Sequence, residues 1–212
     1  MTADGTAEGL RERKKRLTRQ AIVESATRLF AERGFENVTV SEIADASNVA
    51  VKTLFTYFSS KEDLLFDDEN VLLEEILVAV RTRGLGVSAL GAIERHLLAF
   101  VAKGSHEGLE NFHAAMAGNA TLSSRLSVMW DRYEDALTSL LATEVGAGDD
   151  DPTPRLVATQ LIALYRLLTS EQVRTRVRRS RAKDPRRVLR ACVTEGVVLL
   201  GRGMGEYAAR ER

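Results

Sequence analysis

The chain of 212 residues is long enough for one sizeable core, or for a small domain joined to a larger one. Its 44% hydrophobic and 28% charged content fits a folded globular protein and excludes wholesale disorder. Lys+Arg and Asp+Glu both number 30, so net charge points to no partner and any electrostatic preference has to be local. A single cysteine, Cys192, excludes an internal disulfide framework and fits a reducing compartment. The opening MTADGTAEGLRERKKR lacks the apolar core of a secretory signal, and no apolar run approaches the roughly 18 residues that a membrane span needs. The expected location is the cytoplasm.

In chain order, residues 1–10 read as a loose tail and residues 11–16, RERKKR, as a basic run leading into a first helix. That helix carries Ile22, Ala26, Leu29 and Phe30 on one side and stops at Gly34, where a glycine can take the left-handed conformation that closes a helix. In TVSEIADAS, Thr39 and Glu42 form the T-x-x-E capping box that opens a second helix. Asn48 supplies a tight turn, and AVKTLFTYF forms a third helix over 50–58. Its spacing puts Val51, Leu54, Phe55 and Phe58 on one side and Lys52, Thr53, Thr56 and Tyr57 on the other. Ser59 and Ser60, with Glu62 and Asp63, start a helix from about 60 to 82. Further helices are expected near 87–103, 108–118, 120–145, 153–180 and 185–208, with GAGDDDPTP at 146–154 as the clearest linker. Helical periodicity dominates throughout and strands have little support, so the fold is all-α.

The helices over 39–46 and 50–58, joined by a turn of about three residues, have the proportions of a helix-turn-helix, whose second helix enters the DNA major groove. Such a short helix cannot hold itself in water, so its apolar side must dock, leaving the hydroxyl, phenol and amine tips to face a partner. Those groups suit DNA, because they bond phosphate oxygens directionally and Lys52 can also donate to guanine.

These residues carry a resemblance. RLTRQAIVESATRLFAERGFENVTVSEIADASNVAVKTLFTYFSSKEDLL resembles the amino-terminal DNA-binding domain of the TetR family of bacterial transcriptional regulators over about fifty consecutive residues. The matching elements are Ile22, Ala26 and Leu29-Phe30, Gly34-Phe35, the T-V-x-E-I-A of 39–44, the T-L-F of 53–55 and the YF-x-S-K-E-x-L of 57–64. The resemblance implies base contacts from Ala50, Val51, Lys52 and Thr53, and phosphate contacts from Thr39, Ser41, Tyr57 and Lys61, to which the polar row adds Thr56. This chain departs from the family pattern twice. It has Asn48-Val49-Ala50 where Gly-Val-Ser is usual, and Phe55 where a tyrosine is usual.

Arg13, Lys14, Lys15 and Arg16 read either as a DNA arm or as a solubilising tail, and the basic residues between Arg174 and Arg190 as a solvated face. His96, His106 and His113 are too scattered for a metal site, no cofactor is expected, and no residue pattern suggests catalysis. The expected organisation is a tail over 1–10, a helix-turn-helix DNA-binding domain over 11–61, and a larger helical ligand-binding and dimerisation domain over 62–212. Apolar stripes along the last two long helices, Leu156, Leu161, Ile162, Tyr165 and Leu168, then Val188, Leu189, Val193, Val197, Leu200 and Met204, point to a homodimer formed by pairing them. Candidate pocket residues for a small-molecule effector are Phe100, Phe112, Met116, Trp130, Tyr133 and Tyr165. The reading is a homodimeric repressor released from a near-palindromic operator by a small molecule. The alternatives are a DNA-binding regulator without such an effector and, from another class, an all-α enzyme.

Overall fold

The computed structural model describes residues 9–103, 115–116, 119–180 and 184–204. Every regular element among them is helical: α1 (Leu10–Arg33), α2 (Val40–Ala46), α3 (Val51–Tyr57), α4 (Glu69–Arg81), α5 (Ala89–Lys103), α6 (Ala120–Val145), α7 (Thr153–Leu168), α8 (Glu171–Ser180) and α9 (Arg186–Met204), with single 3-10 turns at Phe35–Asn37 and Glu62–Phe66. Most of the helix expected over 108–118, Phe112 included, lies outside the described residues. Among those described, no helix is long and apolar enough to cross a membrane. The chain divides into two compact units between Asp67 and Asp68.

Local chemistry sets the boundaries in the first unit. α1 begins at Leu10, so the basic run expected to lead into the helix is its first turns instead. It ends where Gly34 takes φ 78° and ψ 150°, a region that side chains exclude. At the start of α2 the capping box is complete: the Glu42 N–H donates to Thr39 Oγ1 at 3.3 Å and the Thr39 N–H to Glu42 Oε2 at 2.8 Å. α2 closes in a Schellman arrangement, with Asn48 at φ 54° while the Val49 and Asn48 N–H groups donate to the Ala44 and Asp45 carbonyls. Asparagine tolerates that conformation better than a larger side chain. The expected helix over 60–82 is interrupted. Asp63 Oδ2 accepts from the Ser59 and Ser60 N–H groups, a 3-10 turn follows, and α4 starts only at Glu69.

In the second unit α6 and α7 form an antiparallel pair, reversed through Gly146 at φ 63°. α9 lies against α5 and α7, and a Cβ on Gly196 would sit 2.8 Å from Leu164 Cδ2, so this glycine sets how closely α9 approaches α7. The helix expected over 153–180 breaks at Thr169 and Ser170. Their hydroxyls donate to the Arg166 and Leu167 carbonyls, and Ser170 Oγ then accepts from the Val173 N–H, capping α8. Arg83 is buried, donating to the Val80 and Val87 carbonyls and pairing with Glu144 at 2.7 Å, which ties the end of α4 to the end of α6.

The stripes read as a dimer seam are mostly interior. Leu161, Ile162, Tyr165, Leu168, Leu189 and Val193 are buried within the protomer. Periodicity marks an apolar face but does not say whether the chain's own helices or a second copy covers it. Among the described residues of α7 and α9, the large apolar side chains that stand exposed are Leu156, Val198 and Leu199.

Candidate nucleic-acid interface

α3 is held on the first unit by Leu54 and Phe58, both buried with Ile22, Phe30, Ile43 and Ala44. The Arg19 guanidinium lies 4.4 Å above the Phe58 ring, donates to the Tyr57 carbonyl at 3.2 Å and pairs with Asp67, so α1 clamps the end of α3.

The exposed face of this helix is not the row the sequence suggested. Val51 and Phe55 are turned outward, 38% and 50% exposed, together with Lys52 and Thr56, while Thr53 and Tyr57 are half-buried. With 100° between successive residues, Leu54 and Phe58 anchor the helix so that the outward arc runs Val51, Phe55, Lys52, Thr56. The expected apolar side was too wide by two residues.

Other candidate contacts sort by what their polar atoms already do. Lys52 and Ser41 are exposed and their side chains meet no polar partner among the described residues, and Ala50, at the N-cap of α3, is exposed and offers the helix no side-chain cap. The Thr39 hydroxyl is engaged with Glu42, and the Thr56 hydroxyl donates to the Lys52 carbonyl at 3.1 Å. The Glu42 carboxyl is held at a pKa of about 2, chiefly by the Thr39 N–H and then by Arg33, 2.7 Å away.

Lys61, expected at a phosphate, has bonds within the protein as well. Its amine donates to the carbonyls of Phe35 and Val38 at 2.9 and 3.0 Å and sits 4.2 Å above the Phe35 ring. It therefore holds together the segment that places Thr39, with two of its three N–H groups engaged by the fold. Only the fold brings these carbonyls to it, since they lie 26 and 23 residues earlier. Arg13, Lys14, Lys15 and Arg16 are exposed on the opening turns of α1.

In the second unit, three of the six candidate pocket residues meet. Trp130, Tyr133 and Tyr165 are buried, with ring centroids 5.5 Å (Trp130 to Tyr133) and 6.5 Å (Trp130 to Tyr165) apart. Met116 is half-buried, and Phe100 is exposed, outside that cluster. His96, which the sequence left unassigned, joins them: its Nδ1 is 2.7 Å from the Tyr165 hydroxyl and its Nε2 is 3.5 Å from Glu75. The Tyr133 hydroxyl donates to the Glu69 carbonyl, so two tyrosines reach α4, one directly and one through His96. Glu75 also borders an open hollow of about 440 Å³ lined by Asn70, Val71, Glu74 and Val78.

Burial pushes the His96 imidazole below its ordinary value of 6.5, against the opposing pull of Glu75 and with a smaller push from Lys103. The fold thus favours the neutral ring, a contribution fully present above about pH 6.5 and lost as pH falls through the lowered folded-state value. Thermal melts followed between about pH 7.5 and 5 should show the wild-type protein losing stability on acidification, and His96→Gln losing less over the same range. Equal losses would remove His96 from the account.

Comparison with known proteins bears out the resemblance. The sequence model described as "Bacterial regulatory proteins, tetR family" matches residues 22–67, from mid-α1 to the division between the units. The chain is 31% identical over 172 residues to the HTH-type transcriptional regulator TcmR of Streptomyces glaucescens, covering 77% of this chain and 76% of that protein. The chain belongs to the TetR family of bacterial regulatory proteins. It is a DNA-binding transcriptional regulator, and the first unit is the TetR-type helix-turn-helix. A second relative, the HTH-type transcriptional repressor KstR2 of Rhodococcus jostii, is 30% identical across 47% of each chain. A similar fold is seen in the transcriptional regulator FadR of Bacillus subtilis, solved in complex with stearoyl-CoA, with a TM-score of 0.58, 19% identity, and coverage of 84% of this chain and 97% of that one.

Proposed function

We propose that this TetR-family regulator is a homodimeric repressor that leaves a near-palindromic operator when a small molecule binds its second unit. The observation that carries the DNA side is the outward arc of α3, with the Lys52 amine free at its centre. In this reading Ala50, Val51, Lys52 and Thr53 approach base edges, and Thr39, Ser41, Thr56 and Tyr57 approach phosphates. Arg13, Lys14, Lys15 and Arg16 lie along the backbone and add salt-sensitive affinity. One seven-residue helix makes few base contacts, so two copies about 34–36 Å apart give a site long enough to be selective. Exposed Leu156, Val198 and Leu199 on α7 and α9 support pairing through those helices.

On the effector side, the cluster of Trp130, Tyr133, Tyr165 and His96 is wired to α4, the first helix after the division at Asp67. A ligand that alters the Glu75–His96–Tyr165 chain therefore acts on the helix leading out of the DNA-binding unit. To release DNA it must bind one position of α4 more tightly than the other, because equal affinity shifts nothing.

The test is selection of duplexes from a random pool by the full-length protein, followed by mobility shifts at several salt concentrations. A folded dimer that selects a two-fold related sequence, with affinity falling steeply with salt, is the expected result. Lys52→Ala should change the preferred base at one position per half-site. A folded protein without sequence selectivity overturns the reading.

A further inference from the structure

Two large apolar side chains, Val51 and Phe55, stand on the outward arc of α3 with 38% and 50% of their surface exposed. Leu54 and Phe58 supply the docking, and Val51 and Phe55 stand partly exposed on the adjoining side of a helix only seven residues long. Single exposed apolar residues are ordinary on protein surfaces and by themselves call for no explanation. Here two of them stand one turn apart, beside the exposed Lys52 amine, on the face that a helix-turn-helix offers to the major groove. Phe55 has no hydrogen-bonding group, so neither a phosphate nor a base polar edge gains from meeting it. The major groove displays one apolar feature that a phenyl or isopropyl group can cover, the 5-methyl group of thymine.

We infer that Val51 and Phe55 read thymine methyl groups, making Phe55 a specificity-determining residue and thymine a required base in each operator half-site. The inference rests on the reading of this unit as DNA-binding and adds the chemistry of the bases it prefers. Side chains four apart on a helix are separated by roughly 6 Å, and base pairs rise by about 3.4 Å, so the two methyl groups belong to positions within two or three base pairs of each other. Lys52, about 60° further round the helix than Phe55, then addresses a neighbouring guanine.

The experiment uses the full-length protein and the duplex it selects from a random pool. Each thymine is replaced singly by deoxyuridine, which removes only the methyl group and leaves the hydrogen-bonding edge intact. At one or two thymines per half-site the dissociation constant should rise about fourfold per methyl removed, the worth of one buried methyl-sized group. The same substitutions are then repeated with Val51→Ala and Phe55→Ala, which alter partly exposed positions and should leave the protein folded, as a cooperative melt checks. Each variant should bind its matching deoxyuridine duplex as well as the thymine duplex, because the partner group is already gone. Selected half-sites without thymine, no deoxyuridine effect at any position while tight binding persists, or penalties of the same size in both variants as in the wild type would each overturn the inference and leave the regulator reading standing. Failure to select any sequence overturns both.

Discussion

Leu54→Ala is expected to abolish operator binding while leaving the second unit folded. Leu54 is fully buried at the centre of α3, packed into the core that α1 and α2 share. A seven-residue helix forms only because its apolar side is docked, since nucleation costs more than so few hydrogen bonds return. Removing the side chain leaves a cavity where the surroundings relax only partly, at a cost of about 2–5 kcal/mol. The first unit, ending at Asp67, is small enough that such a loss takes much of its stability. Hydrogen exchange should show α3 and α2 losing protection while α6 and α7 keep theirs, and the mobility shift should disappear. Wild-type binding by Leu54→Ala would mean that α3 does not depend on this anchor.

Lys61→Ala should act through stability rather than through a lost phosphate. The amine makes two hydrogen bonds, to the carbonyls of Phe35 and Val38, and lies over the Phe35 ring. Hydrogen bonds from a charged donor are worth about 1.5–3 kcal/mol each in buried settings, and partial exposure lowers this to a total of about 2 kcal/mol. Lys61→Met, which keeps the stem but not the N–H groups, should recover only a minor part of that loss. Salt dependence separates the two roles. A phosphate contact would make the slope of log K against log salt shallower by about one per protomer when Lys61 is replaced, whereas an internal clip leaves the slope unchanged and lowers the denaturant midpoint. A shallower slope with unchanged stability would return Lys61 to the DNA surface.

What the sequence makes legible is local. The Thr39–Glu42 capping box, the stop at Gly34, the turn at Asn48 and the long helix from Ala120 to Val145 each depend on residues a few positions apart, and each is present. The side of α3 that faces outward is not local. Val51 with Phe55 and Leu54 with Phe58 are both pairs four apart, and in under two helical turns either can anchor. Only the packing against Ile22 and Ile43 decides it. Lys61 eluded the sequence reading for the same reason, because its acceptors come from a loop that folding brings back. The break before α8 did leave a signal: Ser170 followed by Glu171 is an N-cap pair within an otherwise continuous helical pattern. His96 left none, since a lone histidine beside leucines reads alike whether or not a tyrosine and a glutamate come to meet it.

The opening turns of α1 are charged against the grain of a helix. Arg11, Arg13, Lys14, Lys15 and Arg16 crowd the end where the backbone already presents positive partial charge, with Glu12 as the acidic residue of the first turn. Several of them also stand three or four apart, where like charges repel by about 0.2–0.5 kcal/mol a pair. A row of phosphates laid beside this end would relieve both penalties at once. If this end lies along the operator backbone, as proposed, hydrogen exchange from the opening turns of α1 should slow when operator is added and quicken again when it is released.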